Sequence, residues 1–296
     1  MTAVVTAASA RQEPRGPRGA RLRAALRADP AGAVGGALVV VLVLAGVGAP
    51  LLAPYPPTQV HFALPFQVPL TIGFPLGTDD LGRDLASRTL YGLRSSLQVA
   101  AIGVAVSVVL GTLLGLAAGW WRRLDPVIAR ITDVMLAFPF LVLAIGFAAV
   151  QGPSLGGAAI SLGLAYVPHV ALTVRAETLR VRATDFVLAA RAMDARAPGM
   201  LLGHVLPNAA STIVVQATVI LPQVVLGEAV LSFLGLGIQP PGSSLGIMLS
   251  DAQQYLYRTA WPAVLPGVVL ALLCLAFNLV GDALRDRLDP ATGARR

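Results

Sequence analysis

Six stretches of the chain are apolar for long enough to cross a bilayer. They cover about residues 32–53, 96–119, 127–150, 155–174, 209–236 and 263–280. Each approaches the roughly 20 residues that a helix needs to span hydrocarbon. The segments between them are of other kinds. Residues 54–95 are rich in Pro, Gly and Asp and too polar to span. The second run ends at Trp120-Trp121-Arg122-Arg123, an aromatic belt with a basic anchor behind it. Gln151-Gly152-Pro153 makes a short turn. Residues 175–208 carry closely spaced charges, which hydrocarbon excludes. Residues 237–262 read as a Gly/Pro/Ser loop. The pattern predicts an all-α polytopic membrane protein with six transmembrane helices, the first an uncleaved span.

Composition agrees. Of 296 residues, 56% are hydrophobic and 12% charged, against roughly 25% charged in a soluble domain. All 22 basic residues are arginine, and the net charge is +7. The arginines flank apolar runs, so they report topology and not nucleic-acid binding. With both termini in the cytoplasm, 18 arginines fall inside and four outside (Arg83, Arg88, Arg94 and Arg258). The charged 175–208 segment is then cytoplasmic, and 54–95 and 237–262 are extracytoplasmic. The domain expectation is a basic tail over 1–30, a first span and outer loop over 31–95, a five-span core over 96–283, and a tail over 284–296.

Without lysine the chain has neither a Walker A phosphate-binding loop nor a Schiff-base amine. Cys274 is the only cysteine, so no internal disulfide forms. His61, His169 and His204 lack metal-ligand spacing. No nucleophile–base constellation points to an enzyme.

Within 175–208, Thr184-Asp185 reads as a helix cap. Phe186, Ala189, Ala190, Met193 and Ala197 recur at helical spacing, and Pro198-Gly199 is expected to end the helix. This makes a short amphipathic helix, with Phe186 and Met193 on one face and arginines including Arg191 around it. Such a face buries itself, in the headgroup layer, on its own spans or on a partner.

These residues carry a resemblance. Phe186 to Asp194, followed by His204-Val205-Leu206-Pro207-Asn208, resembles the cytoplasmic E-A-A loop of ABC importer permeases. Ala189 and Ala190 match the paired alanines, and Leu206-Pro207 the closing Leu-Pro. Leu188, Asp194 and His204 stand where Glu, Gly and Ile are usual. A second stretch includes Glu228, Ser232, Gly235, Gly237, Pro240, Pro241, Ser244, Gly246, Asn278, Gly281, Asp282, Arg285 and Asp286. It resembles the signature of dipeptide/oligopeptide/nickel permeases. A third includes Gly77, Asp79, Gly82, Arg83, Asp84, Ser87, Arg88, Gly92 and Ser96. It resembles the segment before the second span of the C-type subunit. Its aspartates lack EF-hand spacing and read as turn caps and salt bridges.

The resemblance implies a type I ABC importer permease fold in a prokaryotic cell membrane, multi-pass, with no cofactor of its own. It implies as partners a second, homologous permease, two ATPase subunits that bind the ATP, and an extracytoplasmic substrate-binding protein. Residues from Asp185 to Gly199 would dock on the ATPase. The implied cargo is a peptide, with nickel chelates or other small solutes as alternatives. Two further readings remain: an ion-coupled secondary transporter, with Glu228 as its intramembrane carboxylate, and a membrane scaffold. Glu228 is otherwise read as a helix-packing contact near the outer interface.

Overall fold

The computed structural model describes residues 29–187, 193 and 197–288. The described residues are almost wholly helical. Helix α1 is Pro30–Val47, capped by Asp29, whose carboxylate accepts the Gly32 N–H at 2.9 Å. A single turn, α2 (Ala49–Leu52), follows. Then come α3 (Leu85–Trp120), α4 (Asp125–Leu136), α5 (Phe140–Gln151) and α6 (Leu155–Arg182). The chain closes with α7 (Ala197–Met200), α8 (Leu206–Phe233), α9 (Leu245–Gln253) and α10 (Trp261–Leu288).

Five helices are long and apolar enough to cross a membrane, and a sixth span forms if α4 and α5 count as one. The run expected as straight over 127–150 is bent by 97° between α4 and α5. Pro139 lies at the break: its ring fixes φ and disfavours helical geometry in the residue before it. The second span also differs. The expected loop over 54–95 gives up its last eleven residues to α3. That helix has 36 residues and is about 54 Å long at 1.5 Å per residue, well beyond the roughly 30 Å of hydrocarbon.

Two further corrections fall at helix ends. Pro198 and Gly199, expected to stop a helix, lie inside α7. It runs through a π-helical turn, Leu201–Val205, into α8. Proline is tolerated in a first helical turn because its missing N–H has no partner there. The π-turn precedes Pro207, which has no N–H for the Gly203 carbonyl. The Leu206 N–H reaches back to the Leu201 carbonyl instead. The expected loop over 237–262 contains α9, capped by the Ser244 hydroxyl, which accepts the Gly246 and Ile247 N–H groups.

The tightest packing joins α3 to α6. Between spans there is little hydrophobic driving force, so close van der Waals approach must hold helices together. Gly103, Gly111, Gly115 and Gly119 line one side of α3, four or eight residues apart. Val170, Val174 and Thr178 of α6 seat against the last three. A Cβ on Gly115 would lie 2.6 Å from the Val174 Cβ and 2.7 Å from the Ala171 carbonyl oxygen. At one end of this seam the Arg182 guanidinium donates to the Gly119 and Trp120 carbonyls at 3.0 Å each. It thereby satisfies orphan acceptors at the C-terminus of α3. Asp125 and Arg175 tie α4 to α6 through two contacts of 2.5 and 3.0 Å. A second apolar cluster, with Leu42, Leu93, Val225, Leu273 and Phe277, joins α1, α3, α8 and α10.

Gly115→Ala forces atoms into the Ala171 backbone, and overpacking of this kind costs roughly 1–3 kcal/mol. Its thermal unfolding midpoint in detergent is expected to fall. Gly36→Ala, where no atom lies within 4 Å, is expected to leave the midpoint unchanged or raise it.

Candidate functional site

Helices α3, α6 and α10 end, and α8 begins, at one arginine-rich face of the bundle. The loop between α6 and α7 belongs to that face. A helical turn opens at Asp185. The Thr184 hydroxyl donates back to the Val181 carbonyl at 2.6 Å. Phe186 is 47% exposed and Met193 78%, whereas Val187 is fully buried. The Phe186 ring lies 5.9 Å from the His204 ring. Behind them Met200, Leu201 and Val205 are buried, which anchors the loop to the bundle. Leu206 and Pro207 open α8, and the Asn208 side chain donates to the His204 carbonyl at 2.7 Å. Ala189, Ala190, Arg191 and Asp194 lie outside the described residues. Two large apolar side chains therefore face outward on the arginine-rich face of the molecule.

At the opposite face a network of ion pairs joins the 54–84 loop to α3 and α9. Gly77 and Gly82 take φ of +81° and +75°, which glycine alone adopts without strain. The loop between them folds back on Asp79, 4% exposed. One Asp79 oxygen accepts the Leu81 and Arg83 N–H groups at 3.0 and 2.9 Å. The other accepts Arg83 Nε at 2.6 Å and a short contact from Arg88 Nη1. Arg88 also reaches Asp251 of α9 at 3.1 Å, and Arg83 reaches it at 3.4 Å. Asp84 caps α3 by accepting the Ser87 N–H at 2.7 Å. Tyr255 donates to Asp80 at 3.4 Å. Burial, with the Asp80, Asp251 and Asp79 carboxylates beside it, pushes its phenol up from the ordinary value and keeps it a donor. Among the described residues no group of three or more His, Cys, Asp or Glu could hold a metal.

Just inside this face lies Glu228, fully buried. The Ser96 hydroxyl of α3 donates to one oxygen at 2.7 Å, and the Ser232 hydroxyl to the other at 2.8 Å. Ser232 in turn accepts the Ile238 N–H at 3.2 Å. Glycines allow this convergence. A Cβ on Gly92 would lie 3.1 Å from the Leu245 nitrogen, and one on Gly246 would strike the Ala229 carbonyl. Gly237 packs against Ser232 in the same way, and Gly235 turns the chain with φ of +78°. The Pro240–Pro241 bond is cis. The carboxyl thus joins α3 to α8.

Of the C-terminal motif, Gly281 is buried, its Cα side 3.4 Å from the Thr218 hydroxyl were a Cβ added. Asn278, Asp282, Arg285 and Asp286 are exposed along α10. The structure therefore gathers the motif residues at two ends of the bundle. Asp251 and Tyr255 were not singled out in the sequence, because no spacing rule links them to Asp79 and Asp80, some 170 residues earlier. Ser244 stood in the second motif, but no helix was expected behind it.

Residues 107–293 match the family model described as the binding-protein-dependent transport system inner membrane component. Residues 19–69 match the N-terminal transmembrane domain of oligopeptide transport permease C. The chain is 39% identical over 257 residues to a putative peptide transport system permease protein of Brucella suis, covering 87% of this chain and 86% of that one. It is 40% identical over 266 residues to the di/tripeptide transport system permease protein DppC of Pseudomonas aeruginosa, covering 88% of each. Among solved structures, a chain of the inward-facing MetNI methionine ABC transporter superposes with a TM-score of 0.56. It is 22% identical and covers 68% of this chain and 96% of that one. The chain belongs to the binding-protein-dependent transport system inner membrane component family and has the ABC importer permease fold.

Proposed function

We propose that this chain is one of two permease subunits of an ATP-driven peptide importer. The observation that carries this is the pair of exposed apolar side chains, Phe186 and Met193, on the arginine-rich face, in a chain closely similar to peptide permeases. A chain without lysine has no phosphate-binding loop of its own, so work must arrive through contact. The 185–199 segment docks in a cleft of a separate ATPase subunit. Two such ATPases close on ATP, and the docked segments move with them. Because α7, the π-turn and α8 form one continuous helical run, a displacement of the loop reaches α8 directly. The spans then exchange inward-facing and outward-facing arrangements, and ATP biases the exchange through its different affinity for the two.

At the other face a binding protein delivers the peptide to the loops around Asp79 and α9. A second, homologous permease completes the pore. The arginine bias supports a cytoplasmic position for both termini and the 175–208 segment.

Reconstitution with the neighbouring permease, ATPases and binding protein tests this reading. ATP-dependent uptake of trialanine into vesicles is expected. Uptake that persists without ATP and collapses with the ion gradient would reject it. Phe186→Asp with Met193→Asp is expected to abolish binding-protein-stimulated ATP hydrolysis while the chain still inserts; full coupled transport would remove the docking assignment. Asp194→Gly restores the residue usual at that position and is expected to retain uptake. Arg88→Met strips a buried partner from Asp79, and breaking a buried pair costs roughly 3–5 kcal/mol. Arg83 still holds Asp79, so a loss near the lower end is expected in thermal unfolding, with a larger fall in binding-protein-stimulated than in basal ATP hydrolysis.

A further inference from the structure

Helix α8 presents a polar face that begins at Asn208, beside the loop, and runs on past the residues that the loop and the Glu228 cluster use. Asn208, Thr212, Gln216 and Gln223 are separated by four, four and seven residues. At 3.6 residues per turn they return to one side of the helix. Gln216 and Gln223 stand about 5 Å to either side of the middle of the helix at 1.5 Å per residue, which is bilayer depth. Gln223 is exposed and Gln216 half-buried. Neither amide has a hydrogen-bond partner among the described residues.

Hydrocarbon cannot satisfy an amide, so polar side chains at this depth face a partner or a wet cavity. The stripe leads into such a space. At the arginine-rich end Asn208, Thr212 and Gln216 border a cavity of about 360 Å3, whose other walls include Glu177, Arg180 and Arg285. Toward the opposite end the same face of α8 turns apolar at Leu226 and Phe233, both exposed.

We propose that this stripe lines the translocation path and that Gln216 and Gln223 hold the backbone of the passing peptide; this rests on the peptide-importer reading above. A primary amide carries both a donor and an acceptor. It therefore complements the N–H and C=O of a peptide bond, which every peptide presents whatever its side chains. It carries no charge, so it neither selects by side-chain charge nor traps the peptide. Leu226 and Phe233 supply the apolar constriction that closes the path on the outer side by excluding water.

The test uses the assembled transporter in vesicles, with trialanine as the probe. In a Cys274→Ser background, Gln216→Cys and Gln223→Cys are expected to react with a charged, membrane-impermeant thiol reagent. Trialanine delivered by the binding protein under ATP turnover is expected to slow that reaction. Gln216→Leu with Gln223→Leu is expected to lower trialanine uptake by about tenfold, the scale of two lost hydrogen bonds. No reaction at either cysteine overturns the proposal, as does reaction indifferent to trialanine, or ready disulfide formation with a cysteine on the second permease. If the double leucine variant fails to assemble, the two cysteine variants decide. If the unsubstituted transporter imports no trialanine, the peptide reading itself fails. If it does and the cysteines stay unreactive, only the stripe assignment falls.

Discussion

Hydrocarbon offers no hydrogen bonds, and the rest of the structure follows from how the chain meets that constraint. Backbone amides are satisfied within helices, which is why the described residues contain no extended sheet. Arg182 covers the carbonyls at the end of α3, and Ser244 covers the N–H groups at the start of α9. The buried Glu228 carboxyl is met by hydroxyls of Ser96 and Ser232. The same constraint gives meaning to the exceptions, since an unpaired amide such as Gln223 at bilayer depth requires a wet or partnered surface.

The two faces of the bundle answer different demands. The face opposite the arginines is pinned. Asp79, Arg83, Arg88 and Asp251 lock the 54–84 loop to α3 and α9, and Glu228 fixes α3 against α8 just beneath them. At the arginine-rich face one loop presents Phe186 and Met193 outward. The glycine seam packs α3 closely against α6 between the two faces.

Much of this was legible in residue order. The apolar runs located the spans because each residue's cost in hydrocarbon is nearly independent of its neighbours. The arginine distribution bears on their orientation through the same single-residue costs. Asp84 and Ser87 formed the cap that the Asp-rich turn suggested. The sequence misjudged breaks and lengths. A Pro139 kink of 97°, an α3 that extends past the bilayer, and Pro198-Gly199 inside a helix all depend on what surrounds the backbone.

Span number, helical class and the absence of a lysine-bearing nucleotide loop are set by composition and order, because they follow from the transfer cost and chemistry of single residues. Which residues meet is different in kind. Asp79 finds Asp251 through Arg88, and Glu228 finds Ser96, only when helices far apart in the chain are packed side by side. Whether Gln216 and Gln223 face lipid, protein or a passage is likewise a property of the packed bundle, since periodicity assigns a side of the helix but not what lies against it.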